Sequence, residues 1–241
     1  MLRAVLFDVD FTLFRPGLEL GPEGYRHLGE RYGLELDPAR YEHARLTAIE
    51  QVPQHPELEH DEQVWIAFTE AIMEGMGGPR GGCRECATAM VREWERHENF
   101  QLYEDAIPAL EQLRAHGLKV GLVSNGQRDL DEFVAHHRLQ VDVAVGSLAH
   151  GRIKPHPSIF ERALGALGVA PEEAAMVGDS LEDDIAGARA LGMRALLVDR
   201  NGVHAGERDR IDTLLALPAA LGLPLERVLQ PGAERADQGA Q

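Results

Sequence analysis

The sequence is poor in cysteine and in basic residues, and each shortage argues against a class of protein. Two cysteines among 241 residues are too few for the disulfide framework of a secreted scaffold. Lysine and arginine number 24 against 40 aspartates and glutamates, which gives a formal net charge of −16. Because nucleic acids and anionic membranes bind basic patches, this charge argues against both partners. A small anionic substrate stays compatible with it if cations are concentrated at one site.

Long apolar runs are also missing from the sequence. None reaches the roughly 18 residues that a membrane-spanning helix needs. The N-terminus has no series of basic, apolar and cleavage-site residues, so no signal peptide is expected. With 44% hydrophobic and 27% charged residues, the composition is that of a globular protein with a sizeable core. We therefore expect a cytoplasmic protein that does not enter the membrane.

From residue 15 to residue 98, strand-like alternation is absent and helical periodicity takes its place. Glycine and proline bound four predicted helices, at residues 24–32, 38–49, 61–76 and 83–94. The pattern indicates a small helical bundle inserted after the first strand. Its apolar and aromatic side chains are expected mainly to form the core of the bundle itself, with direct substrate contacts as the exception.

Outside this insert, short apolar strands alternate with helices. The predicted strands are residues 4–7, 118–123, 141–145, 174–177 and 194–198, and the predicted helices are residues 108–116, 128–137, 157–167, 184–191 and 212–221. Such alternation predicts an α/β fold with a doubly wound parallel sheet and helices on both faces. We expect an α/β core of residues 1–14 and 101–228 and a helical cap of residues 15–100. Residues 229–241 are expected to form a disordered tail.

The first strand ends in two acids. Asp8 and Asp10 are two residues apart, so on an extended backbone their side chains point to the same side. Ligands of parallel α/β sheets bind at the carboxyl ends of the strands, where these acids lie. Two neighbouring carboxylates repel each other, and a divalent cation relieves that repulsion. An Asx-rich turn would explain the same D-x-D-x-T pattern if it stood alone.

Polar groups follow three later strands as well. Ser124 precedes an asparagine and Gly126, which frees backbone N–H groups for an anion. Lys154 stands in a polar loop, and Asp179 follows a buried strand with further acids at 182–184. Each signal has an ordinary explanation: a turn, a solvated lysine or a negatively charged helix start. Their order on successive strand–helix units indicates a single site.

Together these segments resemble the four motifs of the haloacid dehalogenase-like (HAD) hydrolase superfamily, in the subclass with a helical cap after the first strand. The matching segments are Asp8-Val9-Asp10-Phe11-Thr12, Ser124, Lys154-Pro155 and residues 178–188. The resemblance covers residues 1 to about 220 and implies a Rossmann-like core and a phosphatase-like activity. One departure is Phe11, where the family usually has glycine. A side chain at this position would restrict the backbone of the turn and limit the size of the leaving group that fits.

The resemblance implies a Mg²⁺-dependent phosphatase that hydrolyses a small-molecule phosphate monoester. Asp8 would be the nucleophile and form an aspartyl-phosphate. The carboxylates of Asp8 and Asp179 and the backbone carbonyl of Asp10 would bind the Mg²⁺, a cation that prefers hard oxygen ligands. The Asp10 side chain would protonate the leaving alcohol and later take a proton from the attacking water.

The remaining motif residues would surround the reacting groups. Lys154 would neutralise phosphoryl oxygens and hold Asp8, while Ser124 and the Asn125 N–H would hydrogen-bond the transferring group. Thr12 would orient Asp10 or contact the substrate. The resemblance further implies that Asp184 or, as the alternative, Asp183 lies beside the metal ligands and bonds a metal-bound water or Lys154, with Ser180 as a neighbour. The register of the fourth motif favours Asp184.

The resemblance also allows other functions on this fold. A haloacid dehalogenase needs no acid at Asp10, and a phosphonate hydrolase needs a cap lysine, which residues 15–98 do not contain. A sugar phosphomutase keeps all four motifs and stays open as an alternative. A non-catalytic phosphate-binding module fits poorly, because Asp8, Asp10, Lys154 and Asp179 are all present. The physiological substrate and the oligomeric state do not follow from the sequence.

Overall fold

The computed structural model describes residues 1–52 and 55–224. Its strands are β1 (Ala4–Phe7), β2 (Phe14–Pro16), β3 (Phe100–Leu102), β4 (Lys119–Ser124), β5 (Val143–Gly146), β6 (Ala174–Gly178), β7 (Arg194–Val198) and β8 (Arg210–Ile211). Six of them form one sheet in the order β5-β4-β1-β6-β7-β8, with every neighbouring pair parallel. The tail expected at residues 229–241 lies outside the described residues.

The helices follow the predicted alternation, with ends that differ by a few residues. They are α1 (Pro22–Arg31), α2 (Tyr41–Gln51), α3 (Glu62–Gly75), α4 (Arg84–Glu95), α5 (Ala106–Ala115), α6 (Leu130–His136), α7 (Ser147–His150), α8 (Pro157–Leu167), α9 (Gly187–Ala190) and α10 (Leu217–Ala220). The predicted helix at 184–191 is a π-helical turn, Leu181–Ala186, continued by α9. No helix in the described part of the chain combines the length and apolar character that crossing a bilayer requires.

Strand β1 lies at the centre of the sheet between β4 and β6, and its four residues are fully buried. Side chains alternate between the two faces of a strand. Val5 and Phe7 therefore belong to the apolar cluster that includes α5 and α6, and Leu6 belongs to the cluster that includes α8. Helices cover both faces, so the predicted doubly wound α/β sheet is confirmed.

Three short strands, β2, β3 and β8, were not predicted. β2 and β3 pair antiparallel, with Phe14 opposite Leu102, where the chain enters and leaves the helical region. Each has three residues, too few for an alternating pattern to be read. The helices between them bury Tyr25, Ile72 and Met90 in a cluster that continues onto one face of the large sheet. The division into a core and a cap at residues 15 and 100 stays a prediction.

Asp105 joins the end of β3 to the C-terminal part of the fold. Its carboxylate accepts hydrogen bonds from Arg200 at 2.9 and 3.0 Å, from the Thr213 hydroxyl at 2.8 Å and from the Leu214 N–H at 2.9 Å. Burial alone would raise the pKa of Asp105, but these hydrogen bonds lower it below its usual value. The carboxylate therefore stabilises the fold at neutral pH, and this stabilisation is lost as the pH falls through its lowered pKa.

The Asp105→Asn substitution is expected to destabilise the protein by about 2 kcal/mol at pH 7, because charge-assisted hydrogen bonds are lost. The difference from wild type should begin to shrink below about pH 4, where Asp105 of the unfolded chain becomes protonated, and should vanish once the pH falls below its lowered pKa in the folded protein. Urea denaturation at pH 7 and pH 3.5 would measure both values. Asp212→Asn, at an exposed aspartate nearby, serves as the control and should change stability little. A difference that stays constant with pH would contradict the expected role.

Candidate active site

A cavity of about 340 Å³ lies between the carboxyl ends of the sheet strands and helices α1 to α4. The sheet side of its lining is strongly polar, and its charged members are Asp8, Asp10, Arg128, Lys154, Asp179, Asp183 and Asp184. The helical side is mainly aromatic and aliphatic. The structure thus brings residues from four separate segments of the sequence to one place.

Three carboxylates form a cluster at the bottom of this cavity. Asp8 follows β1, Asp179 follows β6, and Asp184 lies on the π-helical turn. Each offers a carboxylate oxygen, and these oxygens lie within 4.8 Å of one another. Gly178 allows the close approach, because a Cβ at that position would lie 2.2 Å from Asp184 Oδ2. The glycine before Asp179 is therefore required by the packing of the cluster.

Lys154 is the cation of the cluster. Its Nζ donates to Asp8 Oδ1 at 2.6 Å and to Asp184 Oδ1 at 2.7 Å, and the side chain is 2% exposed. Burial alone would lower the pKa of Lys154, but the carboxylates of Asp184 and Asp8 raise it above its ordinary value. The ammonium therefore stays charged and fixes the orientation of the Asp8 carboxylate.

One lysine does not neutralise three carboxylates. Burial, with the nearby charges of Asp8 and Asp184, raises the pKa of Asp179 well above its usual value. Burial likewise raises the pKa of Asp184 to about 7. Asp8 Oδ2 is buried and, among the described residues, has no hydrogen-bond partner. A spare buried carboxylate oxygen and a surplus of negative charge are what a hard divalent cation such as Mg²⁺ would satisfy.

The Asp10 side chain points to a different partner. Its Oδ1 accepts a hydrogen bond of 2.5 Å from the Arg128 guanidinium. That guanidinium packs against the rings of Phe100 and Phe133, at 4.1 and 4.3 Å from their centroids. Burial raises the pKa of Asp10, and Arg128 opposes this rise. Arg128 was not singled out from the sequence; its position four residues after Ser124 in the second motif was the available signal.

Asn125 acts on Lys154 through its side chain. Its Oδ1 accepts from the Lys154 backbone N–H at 2.7 Å, and its Nδ2 donates to the Lys154 carbonyl at 3.0 Å. Ser124, at the end of β4, is 3% exposed and is not among the residues that line the cavity. Thr12 is completely buried and does not line it either. Direct substrate contacts by Ser124 and Thr12 therefore stay predictions without geometric support.

The acids of the fourth motif face different surroundings. The Ser180 hydroxyl accepts from the Asp183 N–H at 3.1 Å, and the Ser180 N–H donates to Asp184 Oδ2 at 3.1 Å. Asp184 contacts Lys154 and belongs to the carboxylate cluster. Asp183 lines the cavity outside that cluster, and burial raises its pKa to about 6. The geometry therefore favours Asp184 over Asp183 as the acid beside the metal site.

Comparisons with known proteins agree with this arrangement. A family model for haloacid dehalogenase-like hydrolases matches residues 2–192. The chain is 34% identical over 230 residues to the phosphoserine phosphatase of Thermus thermophilus, covering 83% of this chain and 89% of that protein. It is 32% identical over 208 residues to the glyceraldehyde 3-phosphate phosphatase of Methanopyrus kandleri, covering 83% and 85%. A HAD phosphatase structure from Thermococcus onnurineus superimposes with a TM-score of 0.64 at 29% identity, over 92% of this chain and 98% of that one.

A doubly wound parallel sheet with a lysine and three carboxylates at its carboxyl edge defines an α/β protein with a candidate site for a cation and an anionic ligand. The chain belongs to the haloacid dehalogenase-like hydrolase family, as its four motifs predicted. It is a phosphatase-like member, an enzyme of the phosphoric monoester hydrolase class.

Proposed function

We propose that the protein is a Mg²⁺-dependent phosphatase that hydrolyses a small-molecule phosphate monoester through an aspartyl-phosphate on Asp8. The observation that carries this proposal is the environment of Asp8 at the end of β1. Lys154 holds one carboxylate oxygen at 2.6 Å, and the other is buried without a partner among the described residues. A carboxylate held in this way is pre-oriented for attack on a phosphorus atom.

Asp8 and Asp179 would hold the Mg²⁺, with the Asp10 backbone carbonyl as a third ligand and Asp184 beside them. When bound, the ion would offset the repulsion between a carboxylate and a phosphate dianion. At an effective dielectric near 20, two unit charges about 4 Å apart repel by roughly 4 kcal/mol. The buried Lys154 ammonium supplies a further positive charge on the same side.

In the first step an Asp8 oxygen bonds to phosphorus while the bond to the leaving alcohol breaks. The departing oxygen takes a proton from the Asp10 carboxyl, so a neutral alcohol leaves. In the second step water attacks the aspartyl-phosphate and gives a proton to Asp10, which releases phosphate and restores the Asp8 carboxylate. Arg128 bonds Oδ1 of Asp10, so the proton would be exchanged at the other carboxyl oxygen, Oδ2.

Two features position the groups that act on the phosphoryl group. Asn125 fixes the backbone of Lys154 by its paired hydrogen bonds, and Asp184 fixes the Lys154 ammonium from the other side. The relatives named as phosphatases favour water over a sugar hydroxyl as the acceptor. The phosphomutase alternative has no structural observation in its support.

The proposal is tested by measuring inorganic phosphate released from a panel of small phosphate monoesters. We expect release with Mg²⁺ present, loss of release after treatment with EDTA, and recovery when Mg²⁺ is added back. Release that is unaffected by EDTA would contradict the proposed metal dependence. Conversion of hexose 1-phosphates to 6-phosphates without free phosphate would favour the phosphomutase alternative.

Mg²⁺ binding is expected to raise the unfolding temperature of the wild-type protein. A ligand present at about 100 times its Kd stabilises the native state by roughly 2.7 kcal/mol. In the Asp179→Asn variant this Mg²⁺-induced shift should be lost. Without Mg²⁺ the variant should be at least as stable as wild type, because one of three mutually repelling carboxylates is gone.

Differential scanning calorimetry with and without Mg²⁺ measures both effects. Asp131→Asn, at an exposed aspartate of α6, is the matched control and should keep the full shift. An unchanged shift in Asp179→Asn would show that the ion binds elsewhere.

A further inference from the structure

We infer that the leaving alcohol of this enzyme is uncharged and carries an apolar ring, which binds between Phe11 and the aromatic residues of the helical region. The inference rests on the proposed phosphatase function and concerns which substrates the enzyme prefers. It follows from three independent features of the cavity: the chemistry of its helical wall, the backbone conformation of Phe11 and the pairing of its cations.

The helical wall of the cavity is made of rings and aliphatic side chains. Its apolar and aromatic members are Tyr25, Tyr41, Ile49, Trp65, Phe68, Ile72, Val91 and Trp94. Several of these rings, including Trp65 and Phe68, are only partly buried. Half-buried rings that face a cavity have apolar surface available to a ligand, and covering that surface favours binding of an apolar group.

Phe11 contributes a ring from the sheet side. Its φ is +64°, in the left-handed region that costs free energy for any residue with a side chain. The residue is 42% exposed and lines the cavity, and it directly follows Asp10 in the sequence. Packing of the core therefore does not explain why a large side chain occupies this strained position. Strained residues of this kind concentrate where a ligand is held.

The cations that line the cavity already have carboxylate partners. Arg45 is the charged residue on the helical wall among the described residues, and it bonds Glu42 at 2.7 and 3.2 Å. Arg128 is paired with Asp10, and Lys154 with Asp8. A carboxylate or second phosphate on the leaving alcohol would therefore have to displace an existing ion pair.

A cationic alcohol finds no free carboxylate on the helical wall, because among the described residues its charged member is Arg45, which is paired with Glu42. The cavity volume of about 340 Å³ is at the small end of the range for ligand pockets. Since the phosphoryl group takes part of this space, a single ring with a short linker fits better than a larger alcohol.

The inference is tested with four phosphate esters of primary alcohols, which differ in the group attached near the reacting carbon. These are ethyl phosphate, 2-phenylethyl phosphate, O-phosphoserine and phosphocholine. Because all four release a primary alcohol, the difference in bond cleavage is small and binding dominates the comparison. We expect kcat/KM for 2-phenylethyl phosphate to exceed that for each of the other three by about tenfold or more, as burial of an apolar ring allows.

The Phe11→Gly variant tests the role of the ring from the sheet side. Its ratio of kcat/KM for 2-phenylethyl phosphate over ethyl phosphate should fall about tenfold, and Phe11→Leu should give an intermediate ratio. The ratio cancels any general effect of the substitution on the neighbouring Asp10. Tyr32→Ala is the matched control, since Tyr32 is similarly exposed at 40% but does not line the cavity, and it should keep the wild-type ratio.

Binding can be followed apart from turnover. Both tryptophans of the chain, Trp65 and Trp94, line the cavity, so intrinsic fluorescence of the Asp8→Asn variant should respond to 2-phenylethyl phosphate at lower concentrations than to ethyl phosphate. If wild type releases phosphate from none of the esters, the proposed phosphatase function itself fails. If it hydrolyses them but prefers O-phosphoserine or phosphocholine, or shows a ratio near one, the phosphatase stands and this inference is overturned.

Discussion

Substitution of Asp8 by asparagine is expected to lower kcat for phosphate release by at least about ten-thousand-fold. An amide oxygen is a poor nucleophile, and loss of a covalent catalyst is among the largest effects that a single substitution produces. The fold should persist, because the substitution leaves Lys154 bonded to Asp184 and removes one charge from a crowded cluster of acids.

The experiment compares steady-state phosphate release and the covalent adduct in wild type and Asp8→Asn. Rapid quenching followed by mass spectrometry should find a phosphorylated peptide that contains Asp8 in wild type and none in the variant. Asp131→Asn is again the matched control and should retain full activity. A variant that keeps more than a small fraction of the activity, with the same cavity and stability, would show that another group attacks the phosphorus.

Substitution of Lys154 by methionine is expected to destabilise the protein by about 3–5 kcal/mol in the absence of Mg²⁺. Removal of one partner from a buried ion pair leaves the other partner charged and uncompensated. Here the loss leaves the buried carboxylates of Asp8 and Asp184 without their ion-pair partner, and their oxygens lie within 4.8 Å of an oxygen of Asp179. Activity should be lost as well, because the charge that would face the phosphoryl group is gone.

Two conditions should reduce this loss of stability. Lower pH protonates the carboxylates of Asp179 and Asp184, whose pKa values burial has already raised, so the difference in stability from wild type should narrow between pH 7 and pH 5. Added Mg²⁺ should also narrow it, if the ion binds at the cluster. Chemical denaturation across these conditions measures each effect.

The chain offers a matched control for this substitution. Lys119 is its other lysine, exposed and bonded to the Leu167 carbonyl at 2.6 Å. Lys119→Met should cost only about 1 kcal/mol and show little dependence on pH or Mg²⁺. If Lys154→Met behaved in the same way, the carboxylate cluster would not depend on Lys154 for its charge balance.

The elements of the fold could be predicted because their signals are local. β1 is a short apolar run that ends at Asp8, and α8 lies within the predicted bounds, with Pro157 at its start and Gly168, at φ +65°, just after its end. Such signals depend on neighbours a few residues away. The strands β2 and β3 have no local signal, since their pairing joins residues about 90 positions apart.

In the candidate site, too, some features could be predicted from the sequence and others could not. The order of its motifs predicted that Asp8, Lys154 and Asp179 would share a site, because strand ends of a parallel sheet meet at one edge. Sequence could not indicate that Arg128 bonds Asp10, 118 positions away, because that contact depends on the rings of Phe100 and Phe133. Nor could it indicate that the Asn125 amide holds the Lys154 backbone.

By itself, then, the sequence determined the family, the alternating α/β framework and the acids and lysine at its strand ends. Periodicity and motif order are properties of neighbouring residues and carry that information directly. Only the tertiary structure decided which apolar side chains of the helical region face the cavity rather than the core, and which buried charges are paired. Those outcomes depend on the packing of segments distant in sequence, and they are the features that would set the choice of substrate.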